Sequence, residues 1–167
     1  MKQTPDWRQA QANMRPGVIT LTGFLGADGR DLVQIIDEDD ATVRRLGLSH
    51  ARLAARMAEL RDAGLAGLGE FIPVSPHFAV RVDGVRGRLP CPFGEPGLHP
   101  KTNVTVRNLA SGRELTFTDL SIHLIREHGF YQGRGAPFRL EPADLAAVLE
   151  ARPLTSNHGI SNDPSPT

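Results

Sequence analysis

Between Thr102 and Gly129 the spacing of apolar residues changes once, and that change limits the folds open to the chain. Val104 and Val106 alternate with polar neighbours, Ser111-Gly112 offers a turn, and Leu115 and Phe117 alternate again on the return. Alternation buries one face of a strand and leaves the other wet, so this stretch predicts an antiparallel hairpin. A helix is expected over 120–128, with Thr118 or Asp119 as its cap and Gly129 as its stop. A hairpin that runs straight into a helix buries both apolar faces by packing helix on sheet, which is an α+β arrangement.

Upstream, Leu32, Ile35, Ile36, Val43 and Leu46 recur at helical spacing and predict a helix over 31–46. The acidic run Asp37 to Asp40 falls inside it and reads as a solvated face rather than a cation site, because consecutive helical residues point in different directions. Ser49 caps a second helix striped by Leu53, Met57 and Leu60, with Gly64 as a left-handed cap and Leu65 folding back onto Leu60. Val18 to Leu21 is a short strand candidate by β-branched content. Phe78, Val80 and Val82 alternate as a strand, Asp83-Gly84 signals a turn, and Val85 to Leu89 reads as the returning strand. Leu145, Val148 and Leu149 mark a last short helix over 141–150. The expected organisation is a loose polar arm over 1–16, with Trp7 docking, and one α+β domain over 17–152. That domain has a helical part (17–70), in which a helical pair packs beside a small antiparallel sheet, and a hairpin-helix part (71–152). A disordered Pro/Ser/Asn-rich tail over 153–167 follows.

A chain of 167 residues can bury about two-thirds of its unfolded surface in a single core, so size alone does not demand a metal. Lys plus Arg and Asp plus Glu both count 19, giving zero formal charge, which argues against strong non-specific nucleic-acid binding. The single cysteine allows no internal disulfide and fits a reducing compartment. No apolar run is long enough for a bilayer, and the first sixteen residues lack an apolar signal core. The expectation is a cytoplasmic protein without membrane contact.

Chemistry concentrates over 91–128. Cys91 lies between Pro90 and Pro92, His99 follows beside Pro100, and His123 and His128 lie on the helix after the hairpin. Thiolate and imidazole are zinc's preferred donors, and these four are the candidate metal ligands. The helix text, Leu120 to His128, resembles the second half of a ββα zinc finger. The order of loop ligands, hairpin and helix ligands resembles that of treble-clef modules, although those use paired cysteines where this chain has one. The resemblance implies a structural zinc. Spacing is a constraint, since positions five apart on an ideal helix stand roughly 140° apart around the axis. A zinc hydrolase is an alternative: three histidines with an open position form a catalytic pattern, with Glu127 as a base. The string His123 to His128 is, however, one residue too long for the inverted zinc-protease motif.

The stretch Val43 to Leu65 resembles the recognition half of a winged helix-turn-helix. That resemblance implies nucleic acid as a partner, with His50, Arg52 and Arg56 at the bases. The segment after the last candidate ligand, with Phe130, Tyr131, Arg134, Phe138 and Arg139, is either core that pins a loop or a patch for a partner. The sequence-based conclusion is a non-catalytic binding or interaction module with a structural zinc, its partner a protein. A DNA binder and a zinc hydrolase are the alternatives.

Overall fold

The computed structural model describes residues 3–153, so all but the first residue of the expected tail lies outside the described residues. Among the described residues, five α-helices and a four-stranded antiparallel sheet make the fold α+β. Strands β1 (Ile72–Val74), β2 (Phe78–Pro90), β3 (Leu98–Asn108) and β4 (Arg113–Thr118) pair in chain order as a meander. Val104 faces Phe117 and Val106 faces Leu115, so the alternating residues of the hairpin meet on one side of the sheet.

Of the helices α1 (Pro5–Asn13), α2 (Leu32–Arg45), α3 (His50–Gly64), α4 (Asp119–His128) and α5 (Pro142–Leu149), α3, α4 and α5 pack against the sheet, α2 packs on α5, and α1 packs on α2. The Ser49 hydroxyl accepts the Arg52 N–H and starts α3. Thr118 and Ser121 form a reciprocal capping box that starts α4. Gly129, at φ +60°, ends α4, with its N–H donating to the Ile125 carbonyl.

Two apolar clusters result. The larger joins α3, α5 and the sheet, with Leu53, Met57, Phe78, Val80, Val106, Phe117 and Leu149 in its interior. The smaller joins α1, α2 and the 24–25 segment, and contains Met14, Phe24, Leu32, Ile35 and Cys91. α4 belongs to both. Ile122 and Ile125 enter the larger cluster, while Leu120 and Leu124 enter the smaller. This double burial fixes the orientation of the faces that carry His123 and His128.

Several local expectations need correction. The segment expected as a loose arm contains α1, capped by Thr4 with Pro5 at its first turn, and Ala10 and Met14 are buried. Trp7 does dock, edge-on to Phe93 at 6.0 Å between ring centroids. Val18–Leu21 is no strand; it is a series of turns and bends with Leu21 87% exposed, since among the described residues no neighbouring strand is there to pair with it. Asp83-Gly84 does not reverse the chain. β2 runs through it to Pro90, and an irregularity between Val85 and Arg88, with Gly87 at φ +112°, absorbs the break. Gly64 is not left-handed (φ −72°). It is small because a Cβ there would lie 2.5 Å from Val80 Cγ1. The left-handed residue is Leu68, and Leu65 is exposed instead of folding onto Leu60. The acidic run on α2 is not simply solvated: Asp39 is buried against Arg139, Asp40 pairs with Arg44 and His50, and Glu38 pairs with Arg30.

Candidate metal centre

β2 ends at Pro90, and the connection to β3 begins with Cys91. The prolines on either side hold this residue out of the ladder. The Gly94 N–H donates to the Cys91 carbonyl (3.1 Å), curling the chain so that Glu95 swings over the thiol. The backbone N–H groups of Phe93 and Glu95 are turned towards the sulfur. Burial pushes the Cys91 thiol up, and those two N–H groups oppose it by favouring the thiolate.

α4 presents the other side. Cys91 Sγ lies 3.5 Å from His128 Nε2, and Glu95 reaches both rings, with Oε1 3.3 Å from His128 Nε2 and Oε2 3.0 Å from His123 Nε2. One donor atom from each of Cys91, Glu95, His123 and His128 falls within 4.8 Å of every other. The Glu95–His123 approach lacks hydrogen-bond geometry. The buried Nε2 of His123 therefore has a close neighbour but no hydrogen-bond partner among the described residues.

The rings are held from outside the cluster. Phe93 stacks on His128 at 4.0 Å between centroids and 11° between planes, and Phe93 itself is braced edge-on by Trp7 and Phe130. His99, on β3 opposite Leu89 of β2, packs on His123 at 4.2 Å between centroids. Burial lowers the pKa of His99, His123 and His128 and so favours the neutral imidazoles; Glu95 opposes the shift. A thiol, two imidazoles and a carboxylate converging on one point form a group able to hold a metal ion.

Of the four residues expected to converge, the fold brings Cys91, His123 and His128 into this group and leaves His99 stacked beside it. Glu95 completes the group and was not singled out by sequence reasoning. Its one signal was position, four residues after Cys91 in a connection tightened by Pro and Gly. Glu127 is exposed and paired with Arg126, and it is not one of the four converging donors.

The residues named for DNA contact are engaged within the molecule. His50 bridges the Tyr131 hydroxyl (2.8 Å) and Asp40 (2.9 Å), Arg52 donates to the Arg152 carbonyl, and Arg56 donates to the Leu149 carbonyl while lying over Phe78. The five residues named for a partner patch share no exposed face. Phe130 and Tyr131 are core, Arg139 is buried in its pair with Asp39, Phe138 is half-buried, and Arg134 is exposed. Among the described residues no helix is long and apolar enough to cross a membrane. Comparison with protein-family models, with curated proteins and with solved structures returns no match.

Proposed function

We propose that the chain is a non-catalytic binding module in which one zinc ion, held by Cys91, Glu95, His123 and His128, locks the β2–β3 connection onto α4. The observation that carries this reading is the convergence of four donors within 4.8 Å, one of them a buried imidazole nitrogen without a hydrogen bond. Bonds of about 2.0–2.3 Å arranged tetrahedrally set neighbouring donors about 3.3–3.7 Å apart. The 3.5 Å and 3.3 Å separations to His128 Nε2 lie in that range, and the 3.0 Å approach of Glu95 to His123 is slightly tighter. Thiolate with imidazole favours zinc over magnesium or calcium, which take oxygen donors. Four protein donors also leave no coordination position for a reacting water, as in a structural site.

The test is metal analysis of the full chain as purified. Zinc near one per chain is expected, with a sulfur-to-metal charge-transfer band in the cobalt form. Cys91→Ser and Glu95→Gln are expected to weaken binding by more than about tenfold, whereas His99→Ala, outside the donor set, changes it less. Full retention of metal by Cys91→Ser, or a protein that takes up no metal, sinks the reading.

One observation favours a second reading, the zinc hydrolase. Glu95 is the most exposed donor, at 42% of its side chain. Its departure would leave Cys91, His123 and His128 with a water, a catalytic pattern. A solvent-exchangeable ligand in the cobalt form supports this reading, and a closed four-coordinate spectrum removes it.

A further inference from the structure

A cavity of about 230 Å³ lies between the irregular part of β2–β3, the start of α4 and the two loops around Phe24 and Gln132. Phe24, Leu89, Leu120 and Phe138 supply apolar wall. The polar part of the wall comes from Lys101, Asn103 and Gln132, together with threonines. Among the described residues no aspartate or glutamate lines the cavity. Lys101 has no ion pair, and the side chains of Asn103 and Gln132 have no hydrogen bond, among the described residues.

Gln132 is built into this wall against the ordinary preference of the backbone. It is a non-glycine residue at φ +68°, and it is only 5% exposed. Its carbonyl accepts from Arg139 Nη1 (2.8 Å), and Arg139 is clamped by two contacts to buried Asp39 at 2.6 and 2.9 Å. The following residue, Gly133, donates its N–H to the Phe24 carbonyl, and a Cβ there would meet the Leu25 carbonyl oxygen at 2.2 Å. The loop is thus pressed onto the 24–25 backbone and cannot relax the left-handed turn. The backbone thus holds the Gln132 amide at the cavity wall, where a bound ligand can accept its N–H groups.

We propose that this cavity binds a small organic carboxylate with a compact apolar body. One ammonium and two primary amides can all donate to a carboxylate, while the aromatic and aliphatic walls take the remainder. A single cation suits one negative charge better than the two of a phosphate monoester. The volume holds a ring or branched chain of about ten non-hydrogen atoms, smaller than the ligands of ordinary drug-sized pockets. The proposal does not depend on the metal reading, since none of Cys91, Glu95, His123 and His128 lines the cavity.

The test uses the full chain and benzoate as the probe, with benzyl alcohol as its neutral analogue. Titration is followed by nitrogen-proton correlation of the Asn103 and Gln132 side-chain amides and by calorimetry. Benzoate is expected to shift both amides saturably with Kd of about 1 mM or tighter. Benzyl alcohol is expected to bind at least about tenfold more weakly, as is benzoate to Lys101→Met. Gln132→Gly, which removes both the amide and the left-handed strain, is expected to stay folded and to bind benzoate more weakly. The proposal is overturned by the absence of saturable shifts up to about 20 mM, by equal affinity for benzyl alcohol, or by undiminished benzoate binding in both variants. It is also overturned if benzoate perturbs only the His123 and His128 signals, which would place the probe on the metal group.

Discussion

A carboxylate that water scarcely reaches and a guanidinium grips is a poor proton acceptor, and Asp28 is such a group. Its side chain is 3% exposed, and it accepts from Arg30 Nε (2.9 Å) and Nη2 (2.6 Å) and from the N–H of Arg134 (3.0 Å). Arg30 chiefly holds the carboxyl well below the usual carboxylate range; burial opposes this, and the Arg134 and Arg30 N–H groups add to it. The folded pKa is therefore below the unfolded value of about 3.9, so the unfolded chain binds more protons between them. Stability from this group is fully present above that unfolded value and is lost as pH falls through it towards the folded value. Asp28→Asn is expected to cost about 1–3 kcal/mol at neutral pH. Thermal melts between about pH 5 and pH 2 should fall less steeply for the variant than for the parent; equal slopes would remove Asp28 as a source of acid sensitivity. At the same scale, the metal group was partly legible in the sequence. Cys91, His123 and His128 stand out because thiol and imidazole are rare and chemically specific. Glu95 is one of 19 acidic residues, and only the curl of the connection after Cys91 distinguishes it. His99 was indistinguishable from a ligand because its place is set by β3 pairing, with Leu89 opposite, and pairing is a non-local property.

At the scale of elements, two glycines decide how closely backbone meets its neighbours. Gly64 has an ordinary helical φ, yet its α-carbon faces Val80 and Val82, where a Cβ would come within 2.5 and 2.9 Å of side-chain methyls. Gly64→Ala is expected to gain helix propensity but lose more by overpacking, a net destabilisation of about 1–3 kcal/mol in chemical denaturation. A neutral or stabilising result would mean that α3 moves off the sheet at little cost. Gly133→Ala meets backbone rather than methyls, at 2.2 Å, and should cost more than Gly64→Ala in the same measurement. These two residues also show what sequence can convey about elements. α4 and its preceding hairpin are legible because caps, turn and alternation are local signals that agree with one another. Gly64 is located correctly as the end of α3, but its reason is a contact with a strand sixteen residues later, which no local pattern contains. α1 escapes because its apolar stripe is thin, only Trp7, Ala10 and Met14, and its burial depends on α2 and Phe93. β2 is divided by a turn signal, Asp83-Gly84, that the long pairing with β3 overrides.

For the whole molecule, the two apolar clusters determine what a metal at this place can stabilise. The larger cluster has its own sheet, α3 and α5, and none of the four donors is in it. The smaller includes Cys91 and reaches Phe93, the residue stacked on His128, so the metal group lies at its edge. Size gives the protein a core that does not need an ion to form, unlike a zinc finger. Chelation is accordingly expected to lower stability without unfolding the chain. If free zinc stands about a thousandfold above its Kd, its loss removes about 4 kcal/mol, a fall in Tm of about 8–16 °C for a chain of this length. Far-UV circular dichroism should stay close to that of the loaded protein. Amide exchange should quicken in the 91–97 connection and the last turn of α4, and stay slow at Val80, Val104 and Val106. Cys91→Ser should reproduce the chelated behaviour and show no further response to chelator. Complete loss of secondary structure on chelation would mean that the larger cluster depends on the smaller. An unchanged Tm together with proven metal loss would mean that α4 is held by Ile122, Ile125, Leu120 and Leu124 alone, with the ion adding no grip of its own.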